Sequence, residues 1–443
     1  MNSNSYLYFI DNSYILFDHQ SMTFYTIPNK IGEKISALED DAKSAILENV
    51  LASKRTGSCV VTEEPNRKKC KRLILLLAQK CNLACRYCYG ESGTYGDKCG
   101  NIMSAGTARN AIDRMVKKFP DGIGLIQFFG GEPLLNYKVI EDICEYCIEL
   151  TNNGKLKECP KFVIVTNGTI MNEAIRDLFN KYNISVTISL DGPEKVNDRQ
   201  RVYAGSDSSV YKKIMETIDF LNEDRNFLLS VEITMTQYFI DLPDQEKCTF
   251  FDYLICKCID SVHVVPVITP NNTDLYIKDD EKLKSCMDLI TDYSFNSITT
   301  NNPLLLVKIG DFFSIIKSKV EKQHFCSAGI SNFAIDTQGD IYGCFMFINS
   351  ERKMCMGNVN NADEDTFEWD NIRKEFEEAT INSCEECKDC HLRGLCSNCV
   401  AASYLQYGKL NKPIPQQCTV QHAMFNRIGY HIANNNTIKK QIG

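Results

Sequence analysis

Three cysteines stand in one short loop, Lys80-Cys81-Asn82-Leu83-Ala84-Cys85-Arg86-Tyr87-Cys88-Tyr89-Gly90. Their C-x3-C-x2-C spacing brings three thiolates onto one small object from one turn of backbone. A four-iron cluster takes four ligands, so three would leave one iron open to a group that is not protein. Structural zinc is the alternative, but zinc sites usually draw two C-x2-C pairs from separated knuckles and close all four positions. Polar and glycine-bearing fragments follow: Phe129-Gly130-Gly131-Glu132-Pro133, Val165-Thr166-Asn167-Gly168, Ser189-Leu190-Asp191-Gly192-Pro193 and Asp198-Arg199-Gln200-Arg201. Paired glycines let backbone approach a ligand closely, and the glutamate can pair with a bound ammonium. The Thr-Asn-Gly turn suits ribose hydroxyls, and serine with arginine suits a carboxylate.

The elements that must position these groups are legible from periodicity. Arg72 to Ala78 is an apolar run that reads as a buried strand leading straight into the cysteine loop. Further strand-like runs lie at 124–129, 162–166, 185–190, 228–235 and 261–268. Helical patterns alternate with them, among them 108–118, 139–151, 173–182, 211–222 and 281–293. Six strand–helix units in sequence predict an α/β fold, a parallel sheet curled into a barrel or part-barrel. Active residues should then gather at the carboxyl ends of the strands, where each fragment above sits. Residues 1–70 read as a separate small β-plus-α unit. It has strand-like runs at Tyr6–Ile10, Tyr14–Phe17 and Thr23–Ile27, a helical stretch from Gly32 to Ser53, and a charged linker from Glu63 to Arg72. The barrel would occupy 71–300, a helical linker 301–325 and a cysteine-rich unit 326–443. That last unit opens with a hairpin around Gln338-Gly339-Asp340 and closes with a helix from Val420 to Ala433.

Composition bounds the function. The chain has 443 residues, 44% of them hydrophobic, enough for a large core. Its net charge of −8 argues against a nucleic-acid partner, which needs a basic footprint. No apolar stretch reaches the length of a membrane span, and Met1 to Ser5 lack an export signal, so a cytoplasmic protein is expected. There, 22 cysteines mean metal or redox chemistry, not disulfides. Cys144, Cys147, Cys159, Cys248, Cys256 and Cys286 read as small core or element-edge residues.

Over about residues 72–300 the chain resembles the radical S-adenosylmethionine (radical SAM) enzymes. The resemblance implies a partial (β/α)6 TIM-like barrel with a four-iron four-sulfur cluster on Cys81, Cys85 and Cys88, its fourth iron chelated by S-adenosylmethionine. It further implies Glu132, beside Gly130 and Gly131, as partner of the cofactor's amine, and Ser189 and Arg201 as partners of its carboxylate. Asn167 would neighbour the ribose and Tyr87 the adenine. Cleavage of the cofactor to a 5′-deoxyadenosyl radical that removes hydrogen from unactivated carbon is the implied chemistry.

The downstream cysteines resemble the SPASM extension of peptide-modifying radical SAM enzymes. In that wiring Cys387, Cys390, Cys396 and Cys418 hold an outer auxiliary cluster, and Cys326, Cys344 and Cys399 an inner one. Cys396 and Cys399 depart from the pattern, being separated by two residues instead of three. Three four-iron clusters in all are implied. Seven thiolates serve two auxiliary clusters, so Cys384 or Cys355 fills an eighth position or the inner cluster stays open and can capture a substrate thiolate. Sulfatase-maturing relatives carry an aspartate after the hairpin cysteine, where Phe345 stands here. The expected activity is thus a precursor-peptide maturase forming cysteine thioether links, of sactipeptide or ranthipeptide type, with a reductant such as flavodoxin or ferredoxin. The N-terminal unit would grip the leader by strand addition, or merely cap the barrel. Alternatives are a maturase that makes carbon–carbon links or oxidises a residue, and a non-enzymatic iron–sulfur or zinc protein. No acid–base constellation is recognisable; His263 reads as packed and His391 as loop.

Overall fold

In the computed structural model, residues 5–55, 60–63, 66–97, 99–298, 303–348, 353–361 and 367–435 are described. Met1 to Asn4 and parts of the expected linkers, 64–65 and 301–302, fall outside them. The strands in chain order are β1 Ser5–Ile10, β2 Ser13–Asp18, β3 Thr23–Ile27, β4 Val61–Thr62, β5 Arg72–Ala78, β6 Leu125–Gly130, β7 Lys161–Thr166 and β8 Ser185–Ser189. They continue as β9 Leu229–Met235, β10 Ser261–Pro266, β11 Leu305–Leu306, β12 Val320–Glu321, β13 Asn332–Ile335, β14 Asp340–Tyr342 and β15 Cys355–Asn358.

The six expected barrel strands, β5 to β10, pair in sequence order and in parallel. They are part of something larger. Among the described residues the sheet has ten strands in the order β11-β10-β9-β8-β7-β6-β5-β13-β14-β15. β11 adds a parallel strand at one end, and the expected hairpin joins the other, β13 running parallel to β5. β5 is fully buried beyond Arg72, as a central parallel strand covered on both faces must be. The connecting helices start where side chains cap them: Ser104, Asn172, Ser209 and Asp279 each accept a backbone N–H of the first turn.

β1, β2 and β3 form a separate antiparallel sheet. One face buries Leu7, Leu16 and Ile27 against Ile35, Leu47 and Leu51. The stretch expected as one helix is two, Asn29–Ser36 and Asp40–Ala52. The Asp40-Asp41 pair favours a helix N-terminus, where the dipole rewards negative charge. On the other face Phe425, in helix Pro415–Asn434, packs among Tyr6, Tyr8, Phe17 and Phe24 at ring distances of 5.0 to 6.4 Å. The two ends of the chain are thereby packed on one another.

Candidate active site

β5 ends at Ala78 and the cysteine loop follows. The loop is braced by the segment after helix Glu194–Gln200. Ala84 N–H donates to Val202 O at 2.7 Å, Arg86 N–H to Gln200 O at 2.8 Å, and Ala204 N–H to Asn82 O at 3.1 Å. This ladder carries Arg201 to the loop. Its Nη1 donates to Tyr87 Oη at 2.5 Å, Tyr87 donates to Asp191 Oδ2 at 2.6 Å, and Asp191 Oδ1 accepts the Thr234 N–H at 3.0 Å. Asp191 is fully buried and lies 3.7 Å from Arg201, whose buried Nε has no hydrogen-bond partner. Burial first, tempered by Arg201, pushes the Tyr87 phenol well above its usual pKa.

Glu132 is likewise fully buried. Its Oε1 accepts from Thr166 Oγ1 at 2.7 Å and Leu134 N–H at 3.0 Å, and its Oε2 from Asn167 N–H at 2.8 Å. A carboxylate offers about four acceptor positions, so one remains for an incoming donor. Burial pushes the Glu132 pKa up, against the pull of those three donors. Asn167 Nδ2 donates to Asn82 Oδ1 at 2.9 Å and lies 3.7 Å from Cys81 Sγ. Ser189 closes β8, with Glu232 of β9 as its register partner. The glycine pair is closely packed against its surroundings. A Cβ on Gly130, whose φ is 134°, would stand 2.4 Å from Ala78 O, and one on Gly131 would stand 2.3 Å from Lys80 O. What these glycines admit is the neighbouring strand and the cysteine loop.

Burial raises the Cys85 thiol, and burial with Glu132 nearby raises Cys81 to about 12. Such thiols are neutral until a metal displaces their protons. Every described cysteine is free, and among the described residues no three His, Cys, Asp or Glu side chains could hold a single metal ion. Three soft donors on one loop, with an unpartnered buried Arg201 Nε beside them, fit an iron–sulfur cluster carrying an anionic ligand.

The downstream cysteines fall into two sets. Cys387, Cys390, Cys396 and Cys418 line one small internal cavity together with His422, whose Nε2 is 3.8 Å from Cys390 Sγ. Cys326 and Cys399 both act electrostatically on Cys344, so these three form the other set. Cys384 acts on Cys387, Cys390 and Cys418, and so belongs with the first set. The Cys355 Sγ donates to Gly357 O at 3.5 Å. Burial raises all seven expected ligands, Cys326 and Cys418 to about 11 and Cys396 to about 12.

One cavity of about 820 Å³ runs between the loop and the second set. Tyr87, Tyr89, Phe129, Cys326, Phe345 and Cys399 all line it. Phe345 packs at ring distances of 4.4 Å from Phe129 and 5.9 Å from Tyr89. Asp191, Glu232, Lys308 and Lys322 were not singled out from the sequence. Period-two alternation in β9, which sets Glu232 and Thr234 on one face, was the available signal for Glu232.

The radical SAM superfamily profile matches residues 75–227. An uncharacterized protein of Methanocaldococcus jannaschii is 30% identical over 297 residues, 66% of this chain and 90% of that protein. The chain belongs to the radical SAM superfamily. This radical SAM chain is also 27% identical to the cysteine-type anaerobic sulfatase-maturating enzyme of Clostridium novyi, over 74% of its own length and 87% of that enzyme's. Among solved structures, the native anSMEcpe with bound AdoMet and Cp18Cys peptide superposes with a TM-score of 0.66 at 18% identity, covering 83% of this chain and 99% of that one. Streptococcus suis SuiB bound to precursor peptide SuiA gives 0.53 at 15% identity, covering 93% and 97%. These likenesses establish the fold. The chain is therefore a radical SAM enzyme, with a four-iron cluster and S-adenosylmethionine as the cofactors the superfamily implies. No helix among the described residues is long and apolar enough to cross a membrane.

Proposed function

We propose that this enzyme matures a ribosomally made precursor peptide by forming a thioether between a cysteine sulfur and a carbon of that peptide. When bound and reduced, the cluster with S-adenosylmethionine supplies a radical able to remove hydrogen from carbon. Cys81, Cys85 and Cys88 hold that cluster. Glu132 takes the cofactor's amine at its remaining acceptor position, Ser189 and Arg201 its carboxylate, Asn167 its ribose and Tyr87 its adenine. Gly130 and Gly131 seat the loop against the sheet. The outer set, Cys387, Cys390, Cys396 and Cys418, and the inner set, Cys326, Cys344 and Cys399, hold two auxiliary clusters, the inner one open to a substrate thiolate. A flavodoxin or ferredoxin supplies electrons.

The observation that carries this reading is the single cavity lined by both the SAM-side aromatics and the inner cysteines. Its volume suits a peptide side chain and its backbone turn. The named peptide complexes of anSMEcpe and SuiB support a peptide as substrate. Phe345, where a sulfatase-maturing relative would carry aspartate, supports thioether formation over residue oxidation. The identity to a sulfatase-maturating enzyme favours oxidation as the second reading.

The test is anaerobic incubation with S-adenosylmethionine, a reductant and the cysteine-rich peptide encoded beside the gene. A thioether removes two hydrogens and one alkylatable thiol per link. An aldehyde product, or a mass loss with every thiol intact, would overturn the reading. Leader recognition by β1–β3 is tested by truncating the peptide's leader, which should raise KM and leave uncoupled cofactor cleavage unchanged. Deleting residues 1–60 is too blunt, since it would strip the cover from Phe425.

A further inference from the structure

Two cations on the cavity wall have no place in that scheme. Lys308 is in the first turn of helix Val307–Ser318, and Lys322 follows β12. Both line the large cavity. The Lys308 ammonium makes no hydrogen bond or ion pair to any described residue. Lys322 Nζ donates to Ser397 Oγ at 2.6 Å, and its N–H donates to Gly394 O at 2.8 Å, holding it against the loop between Cys396 and Cys399. Burial pulls both ammonium pKa values down. Cys396, Asp311 and Cys399 push Lys308 back up, and Asp311, Cys396, Glu63 and Cys326 do the same for Lys322. An ammonium removed from water is costly unless negative charge stands near, and here the Asp311 carboxylate and the cysteine sulfurs supply it together.

We propose that Lys308 and Lys322 raise the reduction potentials of the auxiliary clusters, suiting them to accept the electron left over when the new bond forms. The inference rests on the auxiliary-cluster reading above. Each one-electron reduction adds a negative charge to a thiolate-ligated core, and a nearby buried cation stabilises that charge. The electron balance is simple. The substrate carbon radical bonds the sulfur, the thiol proton leaves to water, and the remaining electron enters an oxidised iron–sulfur cluster.

The experiment is a redox titration, followed by electron paramagnetic resonance, of the anaerobically reconstituted full-length protein without peptide. Lys308→Met removes one charge, Lys322→Gln removes the other while keeping a donor for Ser397, and Lys308→Arg keeps the charge. Each charge removal should shift an auxiliary couple about tenfold toward its oxidised form, about 59 mV more negative for one electron. Lys308→Arg should match the wild type. Charge-removing variants with full iron and a midpoint within about threefold of wild type would overturn the proposal. So would variants that all fail to hold iron, since a structural role then accounts for the lysines. Wild-type protein holding iron for one cluster only would remove the auxiliary-cluster reading itself, a failure the iron assay distinguishes.

Discussion

Gly131→Ala tests how the cysteine loop is seated. The added methyl would stand 2.3 Å from Lys80 O and 2.6 Å from Gly93 O. Against the 3.4 Å at which ordinary contact begins, the overlaps are about 1.1 Å and about 0.8 Å. Both obstacles are backbone, so no side chain can swing aside. Lys80 O is also pinned, accepting the Glu132 N–H at 3.0 Å, and Lys80 directly precedes Cys81. Retreat of the loop by about 1 Å would break that bond, leaving a buried N–H at a cost of about 1–3 kcal/mol, and would carry the first thiol with it. Misplacement of reacting groups by about 1 Å costs roughly a hundredfold in rate. Uncoupled release of 5′-deoxyadenosine, measured by chromatography without peptide, should therefore fall about a hundredfold. Gly310→Ala is the control: its Cβ meets nothing within 4 Å. A Gly131→Ala protein with wild-type iron content and a rate within about threefold of wild type would refute the steric reasoning.

The same Gly310→Ala change, in the middle of helix Val307–Ser318, should stabilise the protein by about 1 kcal/mol, seen as a higher urea midpoint. Gln79 Oε1 accepts from the backbone N–H of Thr337 at 3.2 Å and from its hydroxyl. Gln79→Leu should cost about 1–3 kcal/mol and raise hydrogen exchange in the 336–340 turn; unchanged protection there would contradict the tie. Burial pushes the Asp292 carboxyl up, but hydrogen bonds from His431 and Arg427 outweigh it and hold its pKa below the usual value. The stability it contributes is complete above the ordinary aspartate range near pH 4 and is lost as pH falls through the lowered value. Asp292→Asn should thus lower Tm at pH 7 while flattening the decline on the acid side. Cys384→Ala and Cys355→Ala should each retain about twelve irons, as an open inner cluster requires; loss of about four from either would identify it as a ligand.

What the sequence disclosed was local. β5 to β10 were readable because each strand is a compact apolar run, and the cysteine loop because its ligands are contiguous. The helix from Gly32 was misjudged because helical propensity continues through Ala37 and Leu38, while the break follows from the acidic start at Asp40. The joining of β13 to β5 left no trace, since a parallel pairing between segments over two hundred residues apart has no local pattern. Burial decides charge partners in the same hidden way. The contacts of Arg201 within the fold, Tyr87 and Asp191, are brought together by the ladder from 82 to 86 and have no local pattern in the sequence. Lys308, whose ammonium makes no hydrogen bond, could be found only once the cavity had walls.

The sheet topology bears directly on how a substrate could be handled. Cys81 follows the carboxyl end of β5. β13 is parallel to β5 and β14 antiparallel to it, so Cys344, just after β14, leaves the sheet at the amino end of β5. Cys326, ahead of β13, lies at that same end. A strand of this length extends about 20 Å, yet Phe345, next to Cys344, packs on Tyr89, next to Cys88, so residues beside both cysteine sets line one cavity. The wall also carries Glu63, Asn66 and Lys71, and Glu63 and Lys71 are partly exposed and paired at 2.8 Å. They lie beside the amino end of β5, and the Tyr87–Asp191–Arg201 network lies beside the loop that follows its carboxyl end.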